Sequence, residues 1–366
     1  MKELNTGKTT CFLIFVCLII GLVFSSSSFA ADFPHRIDSE KRSEKEGLGR
    51  DTVSLIKRMP GPGRETVAEK IMARSKDSKT PITTQGTAKK QTKGKRLSVI
   101  GEGWFLDVNG DGTSVRYRNY KFLDSQPELA RPVSARLSDQ KLEELGLKFI
   151  KENLSEFIKL AEEEEIVPFY TEHAIGIAGQ AKEGATSYEE KIYASIVIFT
   201  RTVNKINVIG SGSKIAIMFN NEGVPVGFDY DWPQYKSTGK SQKVLPLEAI
   251  KSRAKKLASL NIDSPDVRVK RFDCGLYDAG VRKHDPQSVI QAGCAIQYYE
   301  KKIIDEDAYK RDKNSGHSVA AYIDFIPAGE TVAEDGKWPQ AMKILNKKPG
   351  KGFAAPKEGP KRGKRI

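Results

Sequence analysis

Few residues in this chain have the types and spacing that catalysis requires. The sequence contains no His-Glu-x-x-His motif, which excludes a zinc peptidase of that type. Cys274 and His284 could form a nucleophile and its base, but Cys294 is the more natural partner for Cys274. The four histidines are scattered and have no metal-ligand spacing: His35, His173, His284 and His317. We therefore expect no enzyme activity and no metal or other cofactor.

Acidic residues offer two further candidates for chemistry. Glu222, Asp229 and Asp231 lie near predicted strand ends, where two of them could act as paired carboxylates. Four consecutive glutamates at residues 162–165 could contact a cation or a basic peptide. In both cases acids exposed to solvent, in turns or at a helix end, are the favoured interpretation.

A third candidate is a partial calcium loop. Asp107, Asn109, Asp111 and Gly112 match the opening of an EF-hand loop, but its twelfth position is Arg118 instead of a bidentate glutamate. The alternating apolar residues on both sides of this segment predict a β-hairpin with a turn at residues 109–112.

The first 30 residues have the layout of a secretory signal peptide. Lys2 and Lys8 precede an apolar run at residues 11–24, and small residues end at Ala30, after which we predict cleavage. The alternative is an uncleaved anchor, but the run is shorter than the roughly 20 apolar residues that span a bilayer. We therefore expect an exported protein, either periplasmic or extracellular.

Cleavage after Ala30 would leave two of the four cysteines in the mature chain, and export determines how these two are interpreted. Cys274 follows a predicted strand at residues 267–272, and Cys294 opens another at residues 295–299. Pairing of these strands in an oxidising compartment predicts a disulfide, with free thiols as the alternative.

The positive charge of the chain is concentrated at its ends. Residues 31–96 contain 17 Lys and Arg against 9 Asp and Glu, and residues 347–366 contain 8 against 1. Residues 1–30 add +1, so the net charge of +13 leaves residues 97–346 at −3, which argues against a nucleic-acid-binding face. Both ends are polar and read as disordered basic segments that could contact anionic envelope polymers or lipid headgroups.

The central part of the chain reads as an antiparallel meander. Residues 191–203, 206–220 and 224–232 are rich in β-branched and aromatic side chains and are separated by turn residues. Ile198 and Ile217 are expected to face a core. A helix capped by Ser138 precedes these strands, and a second helix begins after Pro246 and precedes the strands at residues 267–272, 295–299 and 319–326.

The order of helix, strands and Trp-Pro-Gln occurs twice, at residues 232–234 and 338–340. This order predicts an internal repeat and an α+β fold of two units, each a helix packed on an antiparallel sheet. The predicted organisation is a signal peptide (1–30), a disordered basic linker (31–96), a first unit with an N-terminal hairpin (97–236), a second unit (237–346) and a disordered basic tail (347–366).

The segment Phe-Thr-Arg-Thr-Val-Asn-Lys-Ile-Asn-Val-Ile-Gly at residues 199–210, followed by Ile-Ala-Ile at 215–217, resembles the strand signature of PepSY and fungalysin/thermolysin-propeptide domains. It departs from that signature at Lys205, where glycine is usual, and at Asn207, where proline is common. The resemblance implies a module that inhibits or chaperones a peptidase, or that binds a partner at the cell surface.

Three aromatic residues at the end of the meander, together with an arginine of its first strand, are the predicted binding surface: Arg201, Tyr230, Trp232 and Tyr235. Such side chains can stack on sugars or receive a peptide strand, and core packing is the alternative. The sequence thus predicts an exported, non-enzymatic binding or regulatory protein that contacts a protein or an envelope polymer. The alternatives are an envelope hydrolase with an unrecognised carboxylate site and a structural surface protein attached through its basic tails.

Overall fold

The computed structural model describes residues 48–74, 82, 87–120, 130–178, 189–280, 289–312 and 317–331. Within these ranges the chain forms one mixed sheet of fifteen strands and four short helices. The prediction of two repeated α+β units, each a helix on its own antiparallel sheet, is therefore wrong. The predicted signal peptide, the basic tail and the second Trp-Pro-Gln lie outside the described residues.

The elements follow one another along the chain. The strands are β1 (Thr52–Arg58), β2 (Lys89–Lys93), β3 (Arg96–Gly101), β4 (Trp104–Asn109), β5 (Ser114–Asn119), β6 (Arg131–Pro132), β7 (Glu164–Ala178), β8 (Glu189–Val203), β9 (Ile206–Ile209), β10 (Lys214–Phe219), β11 (Pro225–Asp231), β12 (Tyr235–Lys243), β13 (Val267–Tyr277), β14 (Val289–Ile303) and β15 (His317–Pro327). The helices are α1 (Arg64–Arg74), α2 (Asp139–Phe149), α3 (Leu247–Ala258) and α4 (Glu306–Arg311). A 3-10 turn (Val133–Ala135) precedes α2, and a π-turn (Ile150–Leu154) extends it.

The first half of the molecule is an antiparallel array. Its strands are ordered β8-β10-β11-β5-β4-β3-β2, and β7 pairs with β8 along its length. The predicted hairpin is present as β4 and β5. Apolar side chains from these strands form one core with α1 and α2, which cover the same face. Ser138 caps α2 as expected, since its hydroxyl accepts a hydrogen bond from the Lys141 amide at 3.2 Å.

The predicted meander is present as β8, β10 and β11. Ile217 is fully buried and lies opposite Val197, as expected for a core position. Ile198 is only half-buried, because residues adjacent in a strand point to opposite faces and Val197 and Phe199 take the core face.

The second half has its own core, formed by strands β1, β13, β14 and β15 with helix α3. Its strands pair antiparallel, while β13 pairs with β9 in parallel and joins this half to the first. The two halves therefore share a single sheet, which is why they do not form separate units.

The prediction of a disordered linker at 31–96 does not hold for the residues described there. β1 and β2 join the sheet, and α1 buries Val67, Ala68 and Ile71 in the first core. These apolar residues are few, but their partners lie far along the chain, so local composition underestimates the area that they bury. Within the described residues, none of the helices has the length and apolar character needed to cross a bilayer.

Candidate functional site

The predicted binding surface is assembled by the fold, but it lies inside the protein. The Arg201 guanidinium stacks between two rings, 4.0 Å from the centre of Trp232 and 4.5 Å from that of Tyr235. Arg201 is 0% exposed, and Trp232 and Tyr230 are also buried. Burial raises the pKa of the Tyr230 hydroxyl. Arg201, Trp232 and the half-buried Tyr235 pack together, while Tyr230 packs on Phe157 and Phe228, as in the core-packing alternative.

Arg201 forms an ion pair with one of the four consecutive glutamates at residues 162–165. Its Nη1 donates to Glu164 at 3.0 Å, and its Nη2 donates to the Pro233 carbonyl at 2.8 Å. Glu164 opens β7 and is buried, while Glu162, Glu163 and Glu165 are exposed. One glutamate of the run therefore neutralises an interior arginine, which the sequence did not indicate.

Arg201 lies opposite a break in the neighbouring strand. Strand β8 pairs with β9 at Thr202 and Val203, and it pairs with β10 at residues 195–200. The chain leaves the β8 edge after Asn207, where Val208 and Ile209 pair with β13, and it returns at Ser213, whose carbonyl accepts a hydrogen bond from the Arg201 amide at 3.2 Å. This excursion links the two halves of the sheet.

Lys214 ties the segment at residues 208–212 to strand β8 by hydrogen bonds. Its Nζ donates to Thr200 Oγ1 at 2.9 Å and to the carbonyls of Val208 and Gly212 at 2.6 and 3.4 Å. Burial lowers the pKa of Lys214 to about 7, although Asp278 and Asp273 oppose the shift. The side chain therefore changes charge near neutral pH at the junction of the two halves.

A buried ion-pair network completes the junction. Arg58 at the end of β1 donates to both oxygens of Asp278, at 2.8 and 3.0 Å, and to Asp231 at 2.7 Å. Arg58 is 4% exposed and Asp278 0%. Burial acts to lower the pKa of Arg58, but the two carboxylates outweigh it and hold that pKa above its usual range.

Tyr235 and Ser213 extend this network by hydrogen bonds. The Tyr235 hydroxyl donates to Asp278 Oδ2 at 2.5 Å and lies 2.6 Å from Ser213 Oγ. Burial, followed by the charge of Asp278, raises the pKa of Tyr235 well above its usual value. Because its charges are paired internally, the junction acts as a structural connection between the halves.

Each of the predicted catalytic carboxylates is paired with an arginine. Asp229 receives two hydrogen bonds from Arg118, and Glu222 receives one from Arg131 at 2.7 Å. Asp231 belongs to the Arg58 network. Asp229 and Asp231 alternate along β11 and lie on the same face, but each is bound by its own arginine.

One arrangement not predicted from sequence has the composition of a hydrolase triad. His173 Nδ1 lies 2.8 Å from Ser195 Oγ, and its Nε2 lies 3.1 Å from Asp139 Oδ1. Ser195 is buried in the middle of β8, directly opposite His173 on β7. The contact joins the first turn of α2 to the sheet, and the Ser195 hydroxyl belongs to a buried residue.

The partial calcium loop forms the β4–β5 turn. Asp111 accepts hydrogen bonds from the amides of Gly61 and Thr113, at 2.6 and 3.2 Å. Asp107 pairs with Arg96. In the part of the chain that the structure describes, no cluster of His, Cys, Asp and Glu could hold a metal ion.

The predicted disulfide is confirmed. Cys274 on β13 lies directly opposite Cys294 on β14, and the two sulfurs are bonded. His284, the alternative partner of Cys274, lies outside the described residues.

Exposed lysines mark the two terminal strands of the sheet. Strand β2 is exposed along its whole length and carries Lys89, Lys90 and Lys93. At the other end of the strand order, β12 exposes Lys236, Lys240 and Lys243. Neither strand contains an acidic residue. The sequence located positive charge before residue 97 but did not indicate that it lies on ordered strands.

No protein-family model matches the sequence, and no curated protein matches it significantly. Among solved structures, the chain is similar to an uncharacterized protein from Eubacterium rectale ATCC 33656, determined at 1.45 Å resolution. The sequence identity is 12%, the match covers 77% of this chain and 87% of that one, and the TM-score is 0.44. This similarity assigns neither a family nor a function.

Proposed function

We propose that this is an exported, non-enzymatic protein that binds an anionic polymer of the cell envelope. The observation that carries the proposal is the exposed basic segment formed by β2, the turn after it and the first residue of β3, here called the lysine hairpin (residues 89–96). Lysines near a charged surface contribute about 1 kcal/mol each. A row of lysines on an ordered strand therefore provides a surface for phosphate or carboxylate groups.

The lysine hairpin concentrates like charges in a way that folding alone does not favour. Lys93 lies directly opposite Arg96 across the ladder, and Lys95 occupies the turn between them. Like charges directly opposite each other destabilise a sheet. Arg96 is paired with Asp107, whereas no ion pair is described for Lys89, Lys90, Lys93 or Lys95.

The turn of the hairpin is held in a defined shape. Gly94 has a φ of +58°, which glycine adopts without strain. Its carbonyl accepts a hydrogen bond from Arg64 of α1 at 2.8 Å, and the Lys95 carbonyl accepts one from the Gly110 amide at 3.1 Å. The lysines therefore project from a fixed backbone, which reduces the entropy lost on binding.

Two sequence features support the same proposal. The predicted signal peptide would deliver the protein to the envelope, and residues 347–366 add a net charge of +7. The roles implied by the PepSY resemblance, peptidase inhibition and peptidase chaperoning, stay predictions. So do the two alternatives, an envelope hydrolase and a structural surface protein.

The test compares two charge reversals in the mature protein. We expect Lys89→Glu/Lys93→Glu to weaken binding to long-chain polyphosphate by about tenfold at low salt and to flatten the dependence of affinity on salt. The matched control is Lys255→Glu/Lys256→Glu, which makes the same charge change on exposed positions of α3.

Binding would be measured by calorimetry over a range of salt concentrations, with anionic vesicles in a parallel series. Equal weakening by both variants would show that only net charge matters and would overturn the proposal. Absence of polyphosphate binding by the unmodified protein would do the same. Binding to vesicles alone would replace the polymer with a membrane surface.

A further inference from the structure

We infer that β1 and β12 carry a second polyanion contact, and that the partner is a linear polyanion long enough to reach both this contact and the lysine hairpin. The inference rests on the proposed function and specifies its ligand. The second contact, here called the β12 patch, consists of Lys57, Lys236, Lys240 and Lys243.

The β12 patch contains another pair of facing like charges. Lys57 on β1 lies directly opposite Lys236 on β12, so their side chains leave the same face of the sheet. No ion pair is described for either lysine. Such a pair destabilises the ladder when it is empty. A phosphate placed between the two ammonium groups would instead be attracted by both.

A continuous series of contacts joins the β12 patch to the lysine hairpin. The loop that follows β1 lies against the β4–β5 turn, since the amides of Gly61 and Gly63 both donate to Asp111 at 2.6 Å. The residue before Asp111 in that turn, Gly110, donates its amide to the Lys95 carbonyl at 3.1 Å. The two basic regions are therefore fixed relative to each other through folded structure.

This arrangement predicts a dependence on polymer length. A short anion can occupy one basic region, whereas a long chain can occupy both, and its second contact forms at high effective concentration. Each additional phosphate that is neutralised also releases a counterion, so the affinity for a long chain should fall more steeply with salt.

Lysines on edge strands also prevent sheets from pairing edge to edge. That role requires no ligand and predicts no preference for long polyanions. A substitution at Lys236 separates the two roles, because Lys236→Glu would face Lys57 and form a favourable cross-strand pair. A loss of binding in a variant that is at least as stable as the parent cannot be caused by misfolding.

The experiment measures the affinity of the mature protein for long-chain polyphosphate and for tripolyphosphate by calorimetry. We expect the unmodified protein to bind the long chain at least about tenfold more tightly per molecule. In Lys236→Glu, long-chain affinity should fall by about fivefold, while tripolyphosphate binding at the hairpin remains. Thermal melts of the same samples monitor folding.

The lysine hairpin variant Lys89→Glu/Lys93→Glu distinguishes the two claims. If it weakens binding while Lys236→Glu has no effect on either ligand, the second contact is refuted and the proposed function stands. If neither variant changes binding, the proposed function fails as well. Equal affinity of the unmodified protein for long and short chains would also refute the inference.

Discussion

Positive charges occur in two contrasting regions of this molecule. At the junction of the two halves, the buried cations Arg58 and Arg201 and the half-buried Lys214 each have hydrogen-bonded partners. At the two ends of the sheet, the exposed Lys236 faces the half-buried Lys57, and the exposed Lys93 faces Arg96. A cation removed from water is costly unless it is paired, whereas an exposed cation stays solvated. Pairing therefore identifies charges that hold the fold, and its absence at the surface identifies charges available to a ligand.

Breaking the junction should have the largest effect. Arg58→Ala leaves two carboxylates without their partner, one of them fully buried, and should lower the free energy of unfolding by about 3–5 kcal/mol. Arg311→Ala, at an exposed helix position, should change it by less than about 0.5 kcal/mol. Urea denaturation of both variants measures the difference. Similar losses in the two would mean that burial does not decide the role of these charges.

The disulfide between β13 and β14 allows the buried ion pairs of the junction to be compared with a covalent connection. The disulfide joins residues 20 apart in sequence, and its replacement in Cys274→Ser/Cys294→Ser should cost about 3 kcal/mol. Denaturation with and without reductant provides the measurement, and the unmodified protein after reduction is the control. Alkylation followed by mass mapping checks the bond itself. Complete labelling of both cysteines without reductant would contradict the pairing.

The charge of Lys214 makes the stability of the junction depend on pH. Its pKa of about 7 in the folded protein lies below the value of about 10.4 expected for an unfolded chain. Between these values the unfolded state binds more protons, so stability should rise with pH from about 7 to about 10. The contribution is at most about 1.4 kcal/mol per pH unit, and it should be missing in Lys214→Met.

Urea titrations at about pH 6 and about pH 9 would measure this contribution as the difference between the parent and Lys214→Met. Lys255→Met removes a lysine from the surface of α3 and serves as the control. An identical pH dependence in Lys214→Met and in the parent would show that the junction lysine keeps its charge throughout.

The smallest expected effect is a gain in stability at the surface. Lys236→Glu exchanges the repulsion with Lys57 for attraction and should raise the free energy of unfolding by about 0.5 kcal/mol. Lys240→Glu makes the same charge change at a position without a facing residue in the ladder and should leave stability nearly unchanged. Thermal melts of the two variants would measure this difference in stability. The same melts at high salt should show no difference, because salt screens exposed charges.

Local sequence patterns predicted individual elements better than their assembly. The β4–β5 hairpin, the Ser138 cap and the strands at Ile217 were predicted because alternation, turn residues and capping act within a few positions. The disulfide was predicted because its two strands could be located and export was expected. The repeat was wrong because similar element order does not specify which strands pair.

The candidate site was harder to predict, because the order of elements also does not specify which strands surround its side chains. Arg201, Trp232 and Tyr235 were grouped correctly, but their exposure depends on which strands surround them. The basic hairpin was assigned to a disordered segment because its polar composition outweighed a few apolar residues nearby. Those residues are buried only because β3, β4 and α1 meet.

The sequence by itself determined where most of the strands and two of the four described helices lie, where the cysteines pair and where positive charge accumulates. Only the tertiary structure decided which charges became interior partners. Arg58 and Asp278 are 220 residues apart, and nothing local to either one indicates the other. Their pairing follows from the cost of burying each charge alone, a cost that exists only after β1 and β13 have been brought into one sheet.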